Sequence, residues 1–336
     1  MAKDNVVVIG GGPCGIEVSR NLRDMGYTPI LLEQQSELGG HLRQWDRLFP
    51  EGVDARKVLK ELTSDLRGVK WFTDATIDSI KKSRKGYTVN VDSGMTFESK
   101  AVILTTGFKL FPAEKKEEYG YNIYERVITN ADLEEYFRTR KDSRIQDPKT
   151  IGFVHCVGSR DEKACNRQCS KVCCATAVKQ ASEIKELFPE ATVYCFYMDL
   201  RMFGRSYEDM YLNAQKKYGV RFIRGRVSEV SEDIDGKLFV KAEDTLLGKP
   251  MKMKMDLLVL MTGIIPGEST AQYSEMLGIE RGEDGFFAPK DTILEPCRTK
   301  DAGLFIAGTC TGPKTLPETL SEARATAIQV HNFLSK

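Results

Sequence analysis

A glycine-punctuated turn between a buried strand and a helix restricts this chain more than any other feature. Asn5 to Ile9 is a short, strongly apolar run, suited to a buried parallel strand. It feeds Gly10-Gly11-Gly12-Pro13-Cys14-Gly15, followed by a helix in which Ile16, Val18 and Leu22 recur at helical spacing. Gly10, Gly12 and Gly15 spell G-x-G-x-x-G. The three glycines serve, in turn, a tight turn, close backbone approach to a pyrophosphate, and tight helix–strand packing. The helix N-terminus adds free N–H groups and the positive end of a dipole. A second strand, Pro29 to Leu32, ends at Glu33. That is about twenty residues beyond the loop, where an acidic side chain binds ribose hydroxyls. Strand, loop, helix and acid together predict dinucleotide binding rather than a turn without ligand.

The chain has 336 residues, 41% of them hydrophobic. That suffices for two cores at roughly 150 residues per domain. Lys plus Arg number 49 against 48 Asp plus Glu, a net charge of +1. Such a balance gives no bulk attraction to nucleic acid or anionic membrane. The longest apolar stretches, such as Leu257 to Met261, are strand-sized and far below the ~20 residues that span a bilayer. Met-Ala-Lys-Asp-Asn runs straight into the first strand with no signal-peptide pattern. The expectation is a cytoplasmic protein with no membrane span and no nucleic-acid partner.

Three further motifs resemble the two-dinucleotide-domain flavoproteins. Glu37-Leu38-Gly39-Gly40-His41 resembles that family's paired-glycine extension, Lys100 to Gly107 its strand-to-glycine crossover, and Asp301 to Gly308 its C-terminal flavin motif. The resemblance implies FAD. It implies contacts from Gly10, Gly12, Pro13, Cys14 and Gly15, then Glu33, Gln34, Gly40 and His41, then Thr105, Thr106 and Gly107. From the C-terminal motif it implies Gly308, Thr309, Leu316, Pro317 and Thr319. Cys14 reads more simply as a small packing residue in the loop. The family often carries Asp after the last glycine to hold the ribityl chain; Thr309 stands here, leaving that role to a hydroxyl or the backbone. The resemblance further implies that the helix following Gly312-Pro313-Lys314 points its N-terminus at the flavin pyrimidine ring, which would favour negative charge there. Lys314 and Glu318 are the charged candidates near the ring. Lys314 is expected to raise the flavin potential; solvated turn positions are the plain alternative for both.

The second half repeats the pattern with one substitution. Thr150 to Val154 reads as another first strand, a helix follows from about Cys173 to Leu187, and Thr192 to Tyr197 is the next strand. Asp256 to Gly263 repeats the crossover motif. The expected architecture is α/β: two Rossmann-like domains, the second inserted in the first. The FAD domain would span 1–124 and 263–336, and the inserted NAD(P)H-domain-like module 125–262. That module has no G-x-G-x-x-G. At its position stand Cys156, Cys169, Cys173 and Cys174, which argues against an ordinary NAD(P)H site. Of nine cysteines, five fall between Cys156 and Cys174. In a reducing compartment such a cluster reads as metal or redox chemistry rather than a disulfide framework. Four thiolates suit an iron–sulfur cluster or a structural zinc. Adjacent Cys173 and Cys174 are awkward for one small tetrahedral ion but can reach different irons of a cube, and their place in a first helical turn favours an anion. Zinc, a redox disulfide and unligated thiols remain alternatives, and Cys165 can replace another ligand on spacing alone.

Cys156-Val-Gly-Ser-Arg-Asp, Gln168-Cys-Ser-Lys-Val-Cys-Cys174, Tyr194 to Gly204, Arg221 to Val227 and Gly312-Pro-Lys314 together resemble the heterodisulfide reductase A-subunit family. The resemblance implies FAD exchanging electrons with a nearby [4Fe–4S] cluster on Cys156, Cys169, Cys173 and Cys174, with Cys165 as an extra. It implies partner subunits and a homodimer. The chain is shorter than the methanogen protein and lacks its ferredoxin-like cysteine runs. It is closer to the compact forms: the heterodisulfide-reductase-like subunit of sulfur oxidisers, ahead of the corresponding subunit of the quinone-interacting oxidoreductase complex. Rival readings are an NAD(P)H-dependent thiol-disulfide oxidoreductase and a zinc-stapled flavoprotein scaffold. Met251 to Met255 alternates as a half-buried strand face rather than a metal-binding box. Arg201, Arg205, Arg221, Arg224 and Arg226 are either a docking patch or solvated positions. His155 flanks Cys156 without being an expected ligand.

Overall fold

A computed structural model describes residues 4–336 and divides into two compact units. The first comprises residues 4–43, 56–109 and 265–336. Its centre is a parallel sheet in the order Leu304–Ile306, Ala101–Leu104, Asn5–Ile9, Thr28–Leu32, Lys70–Phe72. The middle strands are buried almost throughout, which explains their unbroken apolar runs. Helix Pro13–Asp24 packs against the long helix Leu316–Leu334. An antiparallel meander, Ile77–Ser83, Gly86–Val91 and Thr96–Ser99, alternates in burial because one face meets this core.

The second unit comprises residues 44–55 and 110–264. Its parallel sheet runs Val127–Thr129, Leu257–Thr262, Thr150–Val157, Thr192–Tyr197, Arg221–Arg224. Helix Cys173–Leu187 lays Ala177, Val178, Ala181 and Ile184 on that sheet's core, beside Phe153 and Val259. Helix Asn130–Thr139 starts at a reciprocal cap, Thr129 with Asp132. Met251, Met253 and Met255 turn to the core of a second antiparallel meander while Lys252 and Lys254 stay exposed.

The chain passes between the units at 109/110 and 264/265, where the sequence pattern suggests 124/125 and 262/263, and segment 44–55 goes with the second unit. The Asp46 amide donates to Glu134 Oε2 at 2.8 Å, Lys179 Nζ donates to the Arg47 carbonyl at 2.8 Å, and Arg47 pairs with Glu186 at 3.0 Å. Polar ties across more than eighty residues leave no trace in hydrophobic periodicity.

This polar seam contains Glu183, whose side chain is 9% exposed and 3.5 Å from Lys179. Burial pushes its carboxyl up to about 7 against the pull of Lys179 and Arg47, with Glu134 and Asp46 adding to the rise. The folded state therefore holds this proton more tightly than the unfolded chain. The associated stability is present in full below the ordinary 4.5 and is lost as pH rises through about 7. Glu183→Gln should then gain up to about 3 kcal/mol over the parent at about pH 8, at roughly 1.36 kcal/mol per unit, and little near pH 4.5. Denaturation across that range checks it; a difference independent of pH would refute the assignment.

Candidate functional site

In the first unit the glycine loop is built by close contacts. Gly10 has φ +110, and a Cβ there would fall 2.4 Å from the Thr105 carbonyl oxygen. A Cβ on Gly15 would fall 2.0 Å from the Gly10 carbonyl oxygen. Nothing lies within 4 Å of a Cβ on Gly12, so the loop is open at the residue that caps helix Pro13–Asp24. That helix has no side-chain cap, which leaves its first N–H groups available to an anion. Gly40, at φ +52, approaches the Gly12 Cα, and the Gly39 amide donates to Gly11 O at 2.8 Å. Thr106 Oγ1 is buried without a hydrogen-bond partner among the described residues. An open glycine cradle, an uncapped helix and an orphaned hydroxyl fit a bound dinucleotide.

Other expected contact residues take supporting positions. Thr105 Oγ1 donates to the Ile9 and Gly10 carbonyls, so this hydroxyl braces the loop from beneath. Glu33 is buried and accepts from the Gly11 amide at 2.6 Å and the Gln35 amide at 2.8 Å. Its remaining lone pairs are what a ribose would use. Gln34 is exposed beside it. His41 Nε2 lies 2.9 Å from the Phe108 carbonyl oxygen, with the two rings stacked at 4.2 Å. Cys14 is buried and packs under Gly308, at φ +80. Thr309 Oγ1 would lie 4.0 Å from a Cβ on Gly107, joining the crossover glycine to the C-terminal motif. Leu316 and Pro317 open the long helix, and the Thr319 hydroxyl donates to the Thr315 carbonyl. Glu318 closes a capping box: Oε2 accepts from the Thr315 amide at 2.9 Å and the Glu318 amide donates back to Thr315 Oγ1. Glu318 thus caps the helix that follows the flavin motif. The acid that does grip the motif is Glu322, accepting from the Gly308 amide at 2.7 Å. Its position mid-helix gave no local signal.

The second unit gathers thiols at the corresponding strand–helix junction. Strand Thr150–Val157 shifts register between Val154 and Val157, where Cys156 adopts φ +60. Cys156, Cys173 and Cys174 are buried, Cys169 is half-buried and Cys165 exposed; all nine cysteines are free thiols. Cys156, Cys173 and Cys174 are buried in one core cluster. Cys173 beside them holds Cys156 and Cys174 below the ordinary thiol range against burial, with His155 assisting both, and Cys173 itself is pushed up. Cys169 Sγ accepts from the Lys171 amide at 3.3 Å, and Cys156 and Cys169 both act on the Arg160 guanidinium. The His155 ring is buried and acts on Cys174, and Arg160 Nη1 is buried without a hydrogen-bond partner among the described residues. Among the described residues no three His, Cys, Asp or Glu are grouped so as to hold a metal ion. Thiols at a helix start are nonetheless the donor type that an iron–sulfur cluster or a zinc ion takes.

The loop between strand and helix is staked by a buried ion cluster. Asp161 is 3% exposed; its Oδ2 accepts from Lys116 Nζ and Arg226 Nη2, each at 2.8 Å. Its Oδ1 accepts from the Lys163 amide at 3.0 Å. Asn166 Nδ2 donates to the Gly158 carbonyl at 2.6 Å. Arg226 is thus consumed internally, as are Arg224 on Asp199 at 3.4 Å and Arg221 on the Tyr194 hydroxyl at 2.9 Å. Arg201 and Arg205 are exposed.

Two Rossmann-type domains, one opening on a dinucleotide loop, define an FAD-binding α/β flavoprotein. The chain belongs to the pyridine nucleotide-disulphide oxidoreductase family, whose pattern matches residues 1–143 and 174–327, and it is an oxidoreductase. The interruption spans the cysteine loop. It is 31% identical over 423 aligned positions to an iron-sulfur A subunit of the CoB–CoM heterodisulfide reductase of Methanopyrus kandleri, covering 99% of this chain and 64% of that one. It is 39% identical over 262 positions to the A subunit of the H(2)/formate:CoB-CoM heterodisulfide,ferredoxin reductase of Methanococcus maripaludis, covering 75% of this chain and 39% of that one. The chain therefore spans less than two thirds of these relatives. The solved thioredoxin reductase of T. acidophilum shares the fold, with a TM-score of 0.69 at 17% identity over 100% of both chains. Among the described residues no helix is long and apolar enough to cross a membrane.

Proposed function

We propose that this chain is the FAD-binding electron-transfer subunit of a heterodisulfide-reductase-like complex, with one [4Fe–4S] cluster on Cys156, Cys169, Cys173 and Cys174. The observation that carries the proposal is the thiol gathering at the start of helix Cys173–Leu187, where a nucleotide loop would stand in a pyridine-nucleotide domain. When bound, FAD exchanges electrons in pairs and such a cluster singly. The chain's own residues supply the rest. Gly10 to Gly15 would take the pyrophosphate. Arg160, 2.8 Å from Asp199 and beside Cys156 and Cys169, offsets thiolate charge. The relatives' names support partner subunits. A cytoplasmic homodimer, and sulfur-compound oxidation as the pathway type, complete the proposal.

A second reading rests on the same burial. Cys173 lies in one core cluster with Cys156 and Cys174, the setting a thiol-disulfide oxidoreductase requires. Iron and acid-labile sulfide per FAD, on anaerobically purified protein, separate the readings. About four of each per FAD is expected for the cluster. Cys173→Ser should lose most of that iron and Cys165→Ser should keep it. Flavin without iron, bleached rapidly by NADH, would establish the thiol reading instead; zinc without sulfide would indicate a stapled scaffold.

A further inference from the structure

The C-terminal flavin motif carries a charge pair that its sequence does not announce. Glu322 sits on helix Leu316–Leu334 with its side chain only 14% exposed. Its Oε2 accepts from the Gly308 amide at 2.7 Å and lies 3.5 Å from Lys314 Nζ. Lys314 Nζ donates in turn to the Gly308 carbonyl at 3.2 Å and to Thr311 Oγ1 at 2.6 Å. A Cβ on Gly308 would lie 2.9 Å from Cys14 Sγ. This glycine is therefore held at its N–H by a carboxylate, at its carbonyl by an ammonium, and from beneath by a thiol. Cys14, Cys297 and Cys310 surround the pair, and burial keeps all three thiols protonated. Their neutrality leaves Glu322 and Lys314 as the charged groups that touch the turn; burial pushes the Glu322 carboxyl up, Lys314 and the Gly308 amide pull it down, and Glu318 adds to the rise.

We propose that Glu322 is a positioning residue for the flavin: it fixes Lys314 and the Gly308–Thr311 turn, and its carboxylate offsets the Lys314 cation beside the cofactor. The proposal rests on the reading that this turn borders FAD. Reduction adds negative charge to the cofactor, so a nearby cation raises its potential and a nearby anion lowers it. A carboxylate 3.5 Å from the ammonium cancels much of that cation's field at any point further away. The pair, and not the lysine alone, then sets what the flavin experiences. A purely structural Glu322 would change FAD retention and melting temperature without setting the sign of a potential shift.

The test is a cycle of E322Q, K314M and the double variant on FAD-loaded protein, reading the flavin midpoint by redox titration and the FAD dissociation constant. E322Q should favour reduced over oxidised flavin about tenfold, a rise of about 30 mV for a two-electron couple. K314M should lower the midpoint by a similar amount, and the double variant should return near the parent. E322D, which keeps the charge, should stay near the parent; if E322Q does not fold, E322D against K314M decides. Parental midpoints in E322Q, or shifts of E322Q and K314M in the same direction, would overturn the proposal. A parent chain that binds no FAD would instead overturn the flavoprotein reading beneath it.

Discussion

Gly15→Ala will give a chain that folds but has lost at least tenfold in FAD affinity. The added Cβ would sit 2.0 Å from the Gly10 carbonyl oxygen and 2.8 Å from Thr105 Oγ1. The first is backbone of the loop itself, so the helix must move away from the strand or the loop must open. Either shift displaces the helix N-terminus from the pyrophosphate position, where free N–H groups and the dipole act only at close range. The core strands Asn5–Ile9 and Thr28–Leu32 hold their register independently of this contact, so folding should survive. Isothermal titration of apo-protein with FAD measures the loss, and circular dichroism checks the fold. Parental affinity in G15A would show that the loop does not bind the cofactor by its backbone.

Asp161→Ala should cost about 3 kcal/mol of stability, the lower part of the range for breaking a buried ion pair by removing one partner. Burial opposes ionisation of this carboxyl, yet Lys116 holds it below the ordinary range. Its removal strands Lys116, 5% exposed, with Glu118 at 2.6 Å as its remaining acid. It also releases Arg226 and the amides of Lys163 and Ala164. The loop from Gly158 to Val172 should loosen, exposing the thiols. Urea denaturation reads the stability, and the labelling rate of Cys156 and Cys173 reads the loop. Unchanged labelling with a full stability loss would separate the ion cluster from the thiol geometry.

Substantial parts of this molecule were legible in one dimension. Strand Asn5–Ile9, helix Cys173–Leu187 and strand Thr192–Tyr197 carry the bounds that their apolar spacing predicts. The glycine loop was legible because its steric demands fall on residues within six positions of one another. The cysteine gathering was legible because five of the nine cysteines fall within one short stretch, Cys156 to Cys174.

The polar contacts were not legible, because their partners are distant. Asp161 meets Lys116 and Arg226 from separations of 45 and 65 residues, and charge alone does not choose among 97 Lys, Arg, Asp and Glu side chains (49 basic and 48 acidic). Segment 44–55 joined the second unit through contacts of Asp46 and Arg47 with Glu134, Lys179 and Glu186. Glu318 caps the long helix, and Glu322, a turn later, accepts from the Gly308 amide. Local spacing thus determined the two nucleotide-type folds and the glycine loop, since those depend on short-range sterics and periodic burial. Tertiary structure alone decided which charges pair and which acid grips the flavin motif, because a buried charge is settled by whatever partner the packed chain brings within hydrogen-bond range.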